Sequence, residues 1–424
     1  MRRMARGMEL VSEGLDFPTS VAFDAQGRPH VAESGLPFGG RRPGGRVLRI
    51  EPDGRAVPLC EEGLRQPLNG LLFHEGHFYL SEGGFPGRIS RISPGGERTT
   101  VLDGLPGLGN YHTNMAVLGP DKQLYFSQGA MTNSGVIGLD AYEIGWLKRL
   151  PHSHDIPGLD IVLAGQGFET EDPLRGEGHR ARTGAFSSFG VVPEEGRRLA
   201  AGVPCTASVM RCNLDGSGLA LVAWGLRNAY GLLFLPDGRL LATDQGADDR
   251  GSRPIGNAPD VLFEVRQGRW YGWPDFVAGR PVTDERFRPV RGPQPQRVLA
   301  NHAELPVPER PLAEFPVNAA ATKMDVIPEG SHRWAGHVLV TLFGDEKPMT
   351  APLGPKVGRS LARIDPSDWS LHALEAGPFR RPIDVRVHDG ALYVLDFGEF
   401  EMEQQSVKAE AGTGALWKMP LDAL

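Results

Sequence analysis

The sequence predicts an all-β, six-bladed β-propeller with long inter-blade loops, and three observations predict it. First, one unit recurs: an apolar strand, a polar or Gly-containing turn, a second apolar strand, then a polar residue and Gly. The copies are PTSVAFDAQGRPHVAESG from Pro18, PLNGLLFHEGHFYLSEGG from Pro67, HTNMAVLGPDKQLYFSQG from His112, NAYGLLFLPDGRLLATDQG from Asn228, the looser TKMDVIPEGSHRWAGHVLVTLFG from Thr322, and RPIDVRVHDGALYVLDFG from Arg381. Second, the early copies start about 45 residues apart, the period of a four-stranded blade. Third, Asp237-Gly238 and Asp389-Gly390 are hairpin turn signals between alternating apolar runs.

Each copy supplies two strands. A second strand pair often follows, as in GRVLRI from Gly45 and GRISRI from Gly87. A single blade cannot bury both faces of its sheet; a closed ring of blades can, and leaves only short edges. A pair of β-sandwiches would not require this recurrence. We therefore read residues 1–424 as a single propeller domain with insertions at about 139–204 and 274–317, both polar and scattered with Gly and Pro. Long insertions in such a ring are surface loops over one end, where they shape a site.

Bulk composition narrows the function. The chain has 424 residues, 40% of them hydrophobic, and a net charge of -7. That balance argues against nucleic acid or an anionic membrane as partner. No apolar run approaches the roughly 20 residues of a membrane span. The opening MRRMARGMEL is basic, but no apolar stretch follows to make it a secretory leader. The three cysteines, Cys60, Cys205 and Cys212, cannot form a disulfide framework, and free thiols are the expectation although Cys205 and Cys212 could pair.

The most distinctive segment is GLRNAYGLLFLPDGRLLATDQGADDRGSRPIGNAPDVLFEVRQGRWYGWPDF, from Gly225. Arg227 and Asn228 precede an inner strand, and the string Asp244-Gln245-Gly246-Ala247-Asp248-Asp249-Arg250 follows its return partner. Both positions fall near the central axis of a propeller. Mixed Arg, Asp, Asn and free backbone carbonyls can hold an anion and a hard cation together. Trp270, Tyr271 and Trp273 suit either a sugar platform or core packing.

At this segment the chain resembles the soluble glucose/sorbosone dehydrogenases that use pyrroloquinoline quinone (PQQ). The resemblance runs from about Phe17 to Lys418 and is carried by RN-x-x-GL-x-F-x-PDG-RL-x-x-TD-x-G followed by YGWP. It implies oxidation of a sugar or similar alcohol, with PQQ and calcium as cofactors, an external electron acceptor, and a periplasmic or secreted setting. It implies a general base at His112, ahead of the Gly119-Pro120-Asp121 turn. Arg227 and Asn228 would lie beside the quinone, Lys356 and Arg381 would meet its carboxylates, and Gln66 is a further cofactor candidate. The carbonyls of Gly246 and Ala247 would bind calcium. The sequence departs from the family pattern at Ala247, where proline is common. It departs again at Asp248-Asp249-Arg250, where an acidic DE-x-N run is usual, and at Ile383 in place of a second arginine.

These residue types suit that chemistry. Arg and Lys neutralise a tricarboxylate through charge-assisted hydrogen bonds. Calcium polarises a carbonyl, and a neutral histidine takes a hydroxyl proton. Two other functions fit the same fold. A calcium-dependent lactonase-type hydrolase would draw on Glu33, Glu82, Asn133, Asp244 and Asp396. A non-catalytic propeller would bind a partner with the site decayed.

Overall fold

The computed structural model describes residues 7–107, 109–330, 332–352, 354–374, 377–403 and 406–424. They form the predicted six-bladed propeller. Blade 1 is built from Pro18–Phe23, Pro29–Glu33, Arg46–Ile50 and Ala56–Cys60, and blade 2 from Leu68–His74, His77–Glu82, Gly87–Ile92 and Arg98–Leu105. Blade 3 uses Thr113–Leu118, Leu124–Gln128, Ser208–Cys212 and Ala220–Trp224, with the short strand Arg269–Trp270 added in parallel at its edge. Blade 4 is Ala229–Phe234, Leu240–Asp244, Val261–Val265 and Ala313–Glu314; blade 5 is Ala321–Val326, Val338–Leu342, Ser360–Ile364 and Leu371–Ala373. Blade 6 takes Pro382–His388, Ala391–Asp396 and Gly414–Pro420, and its outer strand is the N-terminal Glu9–Leu15.

The first strand of each blade lies innermost, and each touches the next around the ring, blade 6 meeting blade 1. Burial explains the closure. Leu233, Leu241 and Leu262 of blade 4 pack on Met324, Val338 and Val340 of blade 5, so each sheet face is covered by its neighbour. The hairpin at Asp389-Gly390 has φ of 47° and 68°, the left-handed pair that a two-residue turn between twisted strands requires.

The long interruptions attach at particular blades. Residues 129–207 leave blade 3 between its second and third strands and carry a short helix, Leu139–Glu143, and two small two-stranded sheets. Residues 266–312 lie between the last two strands of blade 4. A bridge between Leu163 and Leu299 joins the two insertions. Arg253 knits them further: it donates to the carbonyls of Ser134 (2.7 Å), Pro274 (3.0 Å) and Gln296 (2.6 Å) and pairs with Asp275 at 2.9 Å. All three cysteines are buried and free. Trp270, Tyr271 and Trp273 are core residues, Trp270 stacked near Trp224. Among the described residues no helix is long and apolar enough to cross a membrane.

One charged side chain fills the bore. Lys323, on the inner strand of blade 5, is fully buried. Its Nζ donates to Thr19 O of blade 1 (2.5 Å) and Asn69 O of blade 2 (2.6 Å), and stands 3.9 Å from Asp384 of blade 6. Burial pushes the amine down to about 7, against the pull of Asp384. Above that pH the unfolded chain holds a proton that the folded chain lacks, so this group makes stability rise with pH until the unfolded lysine also titrates. Urea midpoints measured across that window should therefore climb more for the native chain than for Lys323→Met. Parallel slopes would refute the assignment.

Candidate functional site

The entry to four of the six inner strands is shaped by an acid at the end of the same blade's second strand; in blades 3 and 5 that strand ends in Gln128 and Leu342. Glu33 accepts from Asp16 N (2.7 Å), Glu82 from Arg65 N (2.5 Å), Asp244 from Asn228 N (2.7 Å), and Asp396 from Arg381 N (2.6 Å). Each carboxylate satisfies backbone N–H groups that would otherwise be orphaned as the chain turns inward. This device aims the residues just ahead of the inner strands at one mouth of the channel. It also spreads Glu33, Glu82, Asp244 and Asp396 over four blades, each occupied by its own backbone. Among the described residues no group of three or more His, Cys, Asp or Glu is placed to hold a metal.

At that mouth lies a cavity of about 210 Å³, lined by His112, Asn114, Asn228, Gln245, Tyr230 and Glu346 among others. A second lobe of about 130 Å³ adjoins it, sharing Tyr111, Gln245 and Glu346 and adding Arg227, Asp248 and Arg250. His112 and Arg227 thus open on the same end of the ring. The amides form a chain: Asn114 Nδ2 donates to Asn228 Oδ1 (2.8 Å), and Asn228 Nδ2 to Gln245 Oε1 (2.8 Å).

His112 precedes the inner strand of blade 3, half-buried. Its Nδ1 lies 2.9 Å from the carbonyl of Gly107. A carbonyl only accepts, so Nδ1 carries the proton and Nε2 presents its lone pair. Burial holds the imidazole below its usual value, although the Gly107 bond pulls the other way. The ring is therefore neutral at neutral pH, with an unprotonated nitrogen at the cavity.

Arg227 is buried and its donors are occupied within the protein. It reaches Asn133 O (3.0 Å), Gln245 O (3.2 Å), Gly246 O (2.5 Å), Asn133 Oδ1 (2.7 Å) and Asp248 (2.7 Å), bonds the Tyr111 hydroxyl, and lies over the Tyr111 ring. Arg381 is 1% exposed and ties loops together through Phe400 O (2.9 Å), Gly344 O (3.0 Å), Asp345 O (2.8 Å) and Glu401 (2.9 Å). It thereby positions Phe343 and Phe400, which line the cavity. Lys356 is exposed and outside the lining of both lobes, and half-buried Gln66 is also outside it, although its neighbour Pro67 is a lining residue. Of the predicted set, the structure brings His112, Asn228, Arg227 and Gly246 around the two lobes and leaves Lys356, Gln66, Arg381 and Ala247 out of their lining.

Lining residues without a role in the sequence reading include Tyr111, Asn114, Tyr230 and Glu346, and Arg250 was read only within the polar string after Asp244. Tyr111 and Arg250 belong to the Arg227 cluster; their signal was adjacency to His112 and the break in the acidic run. Glu346, in the blade 5 loop FGDEKP, belongs to no motif. Among the described residues its carboxyl has no hydrogen bond or ion pair, and burial pushes it up to about 7, with Arg381 pulling down and Asp248 pushing up.

No family profile matches the chain. Solved structures do match it over its whole length. The PQQ-bound aldose sugar dehydrogenase of Streptomyces coelicolor superposes with a TM-score of 0.57 at 16% identity, covering 98% of both chains. The apo-form soluble aldose sugar dehydrogenase of Escherichia coli does so at 0.56 and 14%, covering 97% of this chain and 99% of that one. The chain has the fold of the soluble glucose/sorbosone dehydrogenases. A calcium structure of the Trichoderma reesei carbohydrate-active enzyme of family AA12 shares this dehydrogenase fold (TM-score 0.57, 16% identity, 99% and 96% covered). In sequence, quinoprotein glucose dehydrogenase B of Acinetobacter calcoaceticus is 25% identical over 190 residues, 42% of this chain. The match spans only 29% of that relative's length.

The dehydrogenase fold raises the question of whether these residues suit a quinone and calcium. The larger lobe offers a quinone neutral amides and aromatic walls. An open cationic clamp is not part of this set, because Arg227 and Arg381 are already bonded. Calcium does not fit at Gly246 and Ala247. The Gly246 carbonyl takes Arg227 Nη1, and Ala247 lines neither lobe but a small adjoining cavity with Trp273 and Tyr271. A divalent ion on that carbonyl would sit about 4 Å from a guanidinium, a repulsion of about 4 kcal/mol per unit of charge at an effective dielectric of about 20.

Proposed function

We propose that the chain is a quinone-dependent dehydrogenase that oxidises the hydroxyl-bearing, anomeric carbon of a sugar or a similar alcohol, passing electrons on to an external acceptor. The observation that carries this reading is the free Nε2 of His112 at the mouth cavity, its tautomer fixed by Gly107. That nitrogen takes the proton of the substrate hydroxyl, a role whose efficiency needs a neutral imidazole at working pH. Asn114, Asn228 and Gln245 would hold PQQ by amide hydrogen bonds, and Glu346 faces the same space to accept from substrate hydroxyls. PQQ, when bound, supplies the two-electron sink that no side chain can. Tyr230, Phe343 and Phe400 wall the cavity and exclude water from it.

The test is reconstitution with PQQ, followed by dye reduction over a panel of aldoses and alcohols. Dye reduction should depend on the quinone. Because burial lowers the His112 value, the histidine limb of kcat/KM should appear only as pH drops below the usual histidine range of about 6.5, separate from any change as Glu346 titrates at about 7. A preparation that binds PQQ yet reduces dye with no member of the panel overturns the reading.

A further inference from the structure

We propose that the cation of this mouth is the Arg227–Arg250 guanidinium pair, which takes the place a calcium ion would hold, and that the site is ordered without metal. The inference starts where the sequence breaks its family pattern. The run after Gly246 is Ala-Asp-Asp-Arg, not the acidic continuation that the resemblance predicts. The structure gives each residue of that break a partner. Asp248 Oδ2 takes Arg227 at 2.7 Å and Arg250 at 2.9 Å. Asp249 faces the other way, accepting from Val290 N (2.7 Å) and Arg291 N (3.2 Å). Asp248 Oδ2 and both oxygens of Asp249 are thereby engaged within the protein.

Arg250 completes the cluster from the far side. Its Nη1 reaches Asp140, on the short helix of the blade 3 insertion, at 2.9 Å, and its Nη2 donates to the Tyr111 hydroxyl at 2.8 Å. Both guanidinium groups thus converge on one carboxylate oxygen and one phenol oxygen. Together they bring two positive charges, as one calcium ion would, and they cross-link the same elements: the head of blade 3, the head of blade 4 and the loop after Asp244. Arg227 also holds the carbonyls of Gln245 and Gly246, which an ion would otherwise draw in. A guanidinium offers five donors in a rigid plane, so it can satisfy several carbonyl and carboxylate oxygens at once. The break from acidic residues to Arg250 and the occupied Gly246 carbonyl are one change seen at two levels.

The claim about ordering stands on this cluster alone; its extension to the cofactor rests on the quinone reading above. The experiment has separate arms for the two. Apoprotein is titrated with calcium chloride by calorimetry and by thermal unfolding. No binding isotherm and no rise in Tm are expected, since a ligand that binds only the folded state must raise it. PQQ affinity, read by quenching of tryptophan fluorescence, should agree within about twofold in EDTA and in millimolar calcium. Arg250→Met leaves Asp140 and Asp248 one cation short. Its Tm should fall, and calcium should restore part of it, while Arg250→Lys keeps the charge and stays closer to the native chain. Calcium that stabilises the native chain, or that PQQ binding requires, overturns the proposal. So does an Arg250→Met variant that is folded yet gains nothing from calcium. If Arg250→Met does not fold, the native and Arg250→Lys titrations decide. Failure to bind PQQ in either buffer sinks the quinone reading, and the calcium titration still judges this one.

Discussion

Replacing His112 with alanine is expected to lower turnover by about 10²–10⁴-fold, the usual contribution of a positioned general base. The loss should fall on kcat and on kcat/KM alike, because proton removal belongs to the transition state, and quinone affinity should change little. Alanine also strips Gly107 O of its donor, a structural cost of about 1–3 kcal/mol. His112→Gln separates the two effects, since its amide can donate to a carbonyl but cannot take a proton. Both variants should lack the histidine limb of the pH profile. The measurement is single-turnover dye reduction beside an independent PQQ titration. Alanine and glutamine variants that retain activity within a few-fold would remove His112 from the reaction.

The largest expected loss of stability comes from Asp275→Ala, at about 3–5 kcal/mol, the range for breaking a buried pair by deleting one partner. Asp275 is fully buried beside Arg253, which is 2% exposed. Besides that arginine at 2.9 Å, Asp275 accepts from Val298 N (2.9 Å), Leu299 N (2.8 Å) and His302 Nε2 (3.0 Å). Its removal leaves a guanidinium without counter-charge and two buried N–H groups without acceptors. The exposed pair Arg288–Glu285 is the control: its disruption should cost between about 0 and 1 kcal/mol. Urea unfolding monitored by tryptophan emission compares them. Equal midpoints for the two variants would mean that the insertions are not fastened where the hydrogen bonds place them.

The blades were legible because the inner hairpins must alternate and must turn. Leu232, Ala242 and their counterparts follow the sheet's period of two, and Asp389-Gly390 announces its turn by composition alone. Outer strands were less legible. Ala313–Glu314 is two residues long and follows its partner strand only after the whole second insertion. Glu9–Leu15 lies outside the recurring unit altogether. At the site, His112, Arg227 and Asn228 were readable because a residue ahead of an inner strand lies near the mouth. Lys356 lies in a loop without such a position, and Gln66, two residues ahead of the blade 2 inner strand, shows that the position alone does not bring a side chain into the lining. Glu346 and Arg250 enter through loops whose mutual approach depends on ring closure, which no local pattern encodes.

The N-terminal strand has a consequence in time. Glu9–Leu15 is made before the other described strands, yet among the described residues its ladder partner is Gly414–Pro420, made about 400 residues later, roughly 20–80 s at the usual pace of synthesis. Throughout that interval it is an open edge, with unpaired N–H and C=O groups available to any other nascent chain. Its sequence answers the hazard: Glu9 and Glu13 put like charges on so short a strand, and its outward positions stay solvent-facing even in the finished ring. Blade 6 is therefore completed only when two strands about 400 residues apart meet, and the vulnerable period is set by the chain that separates them.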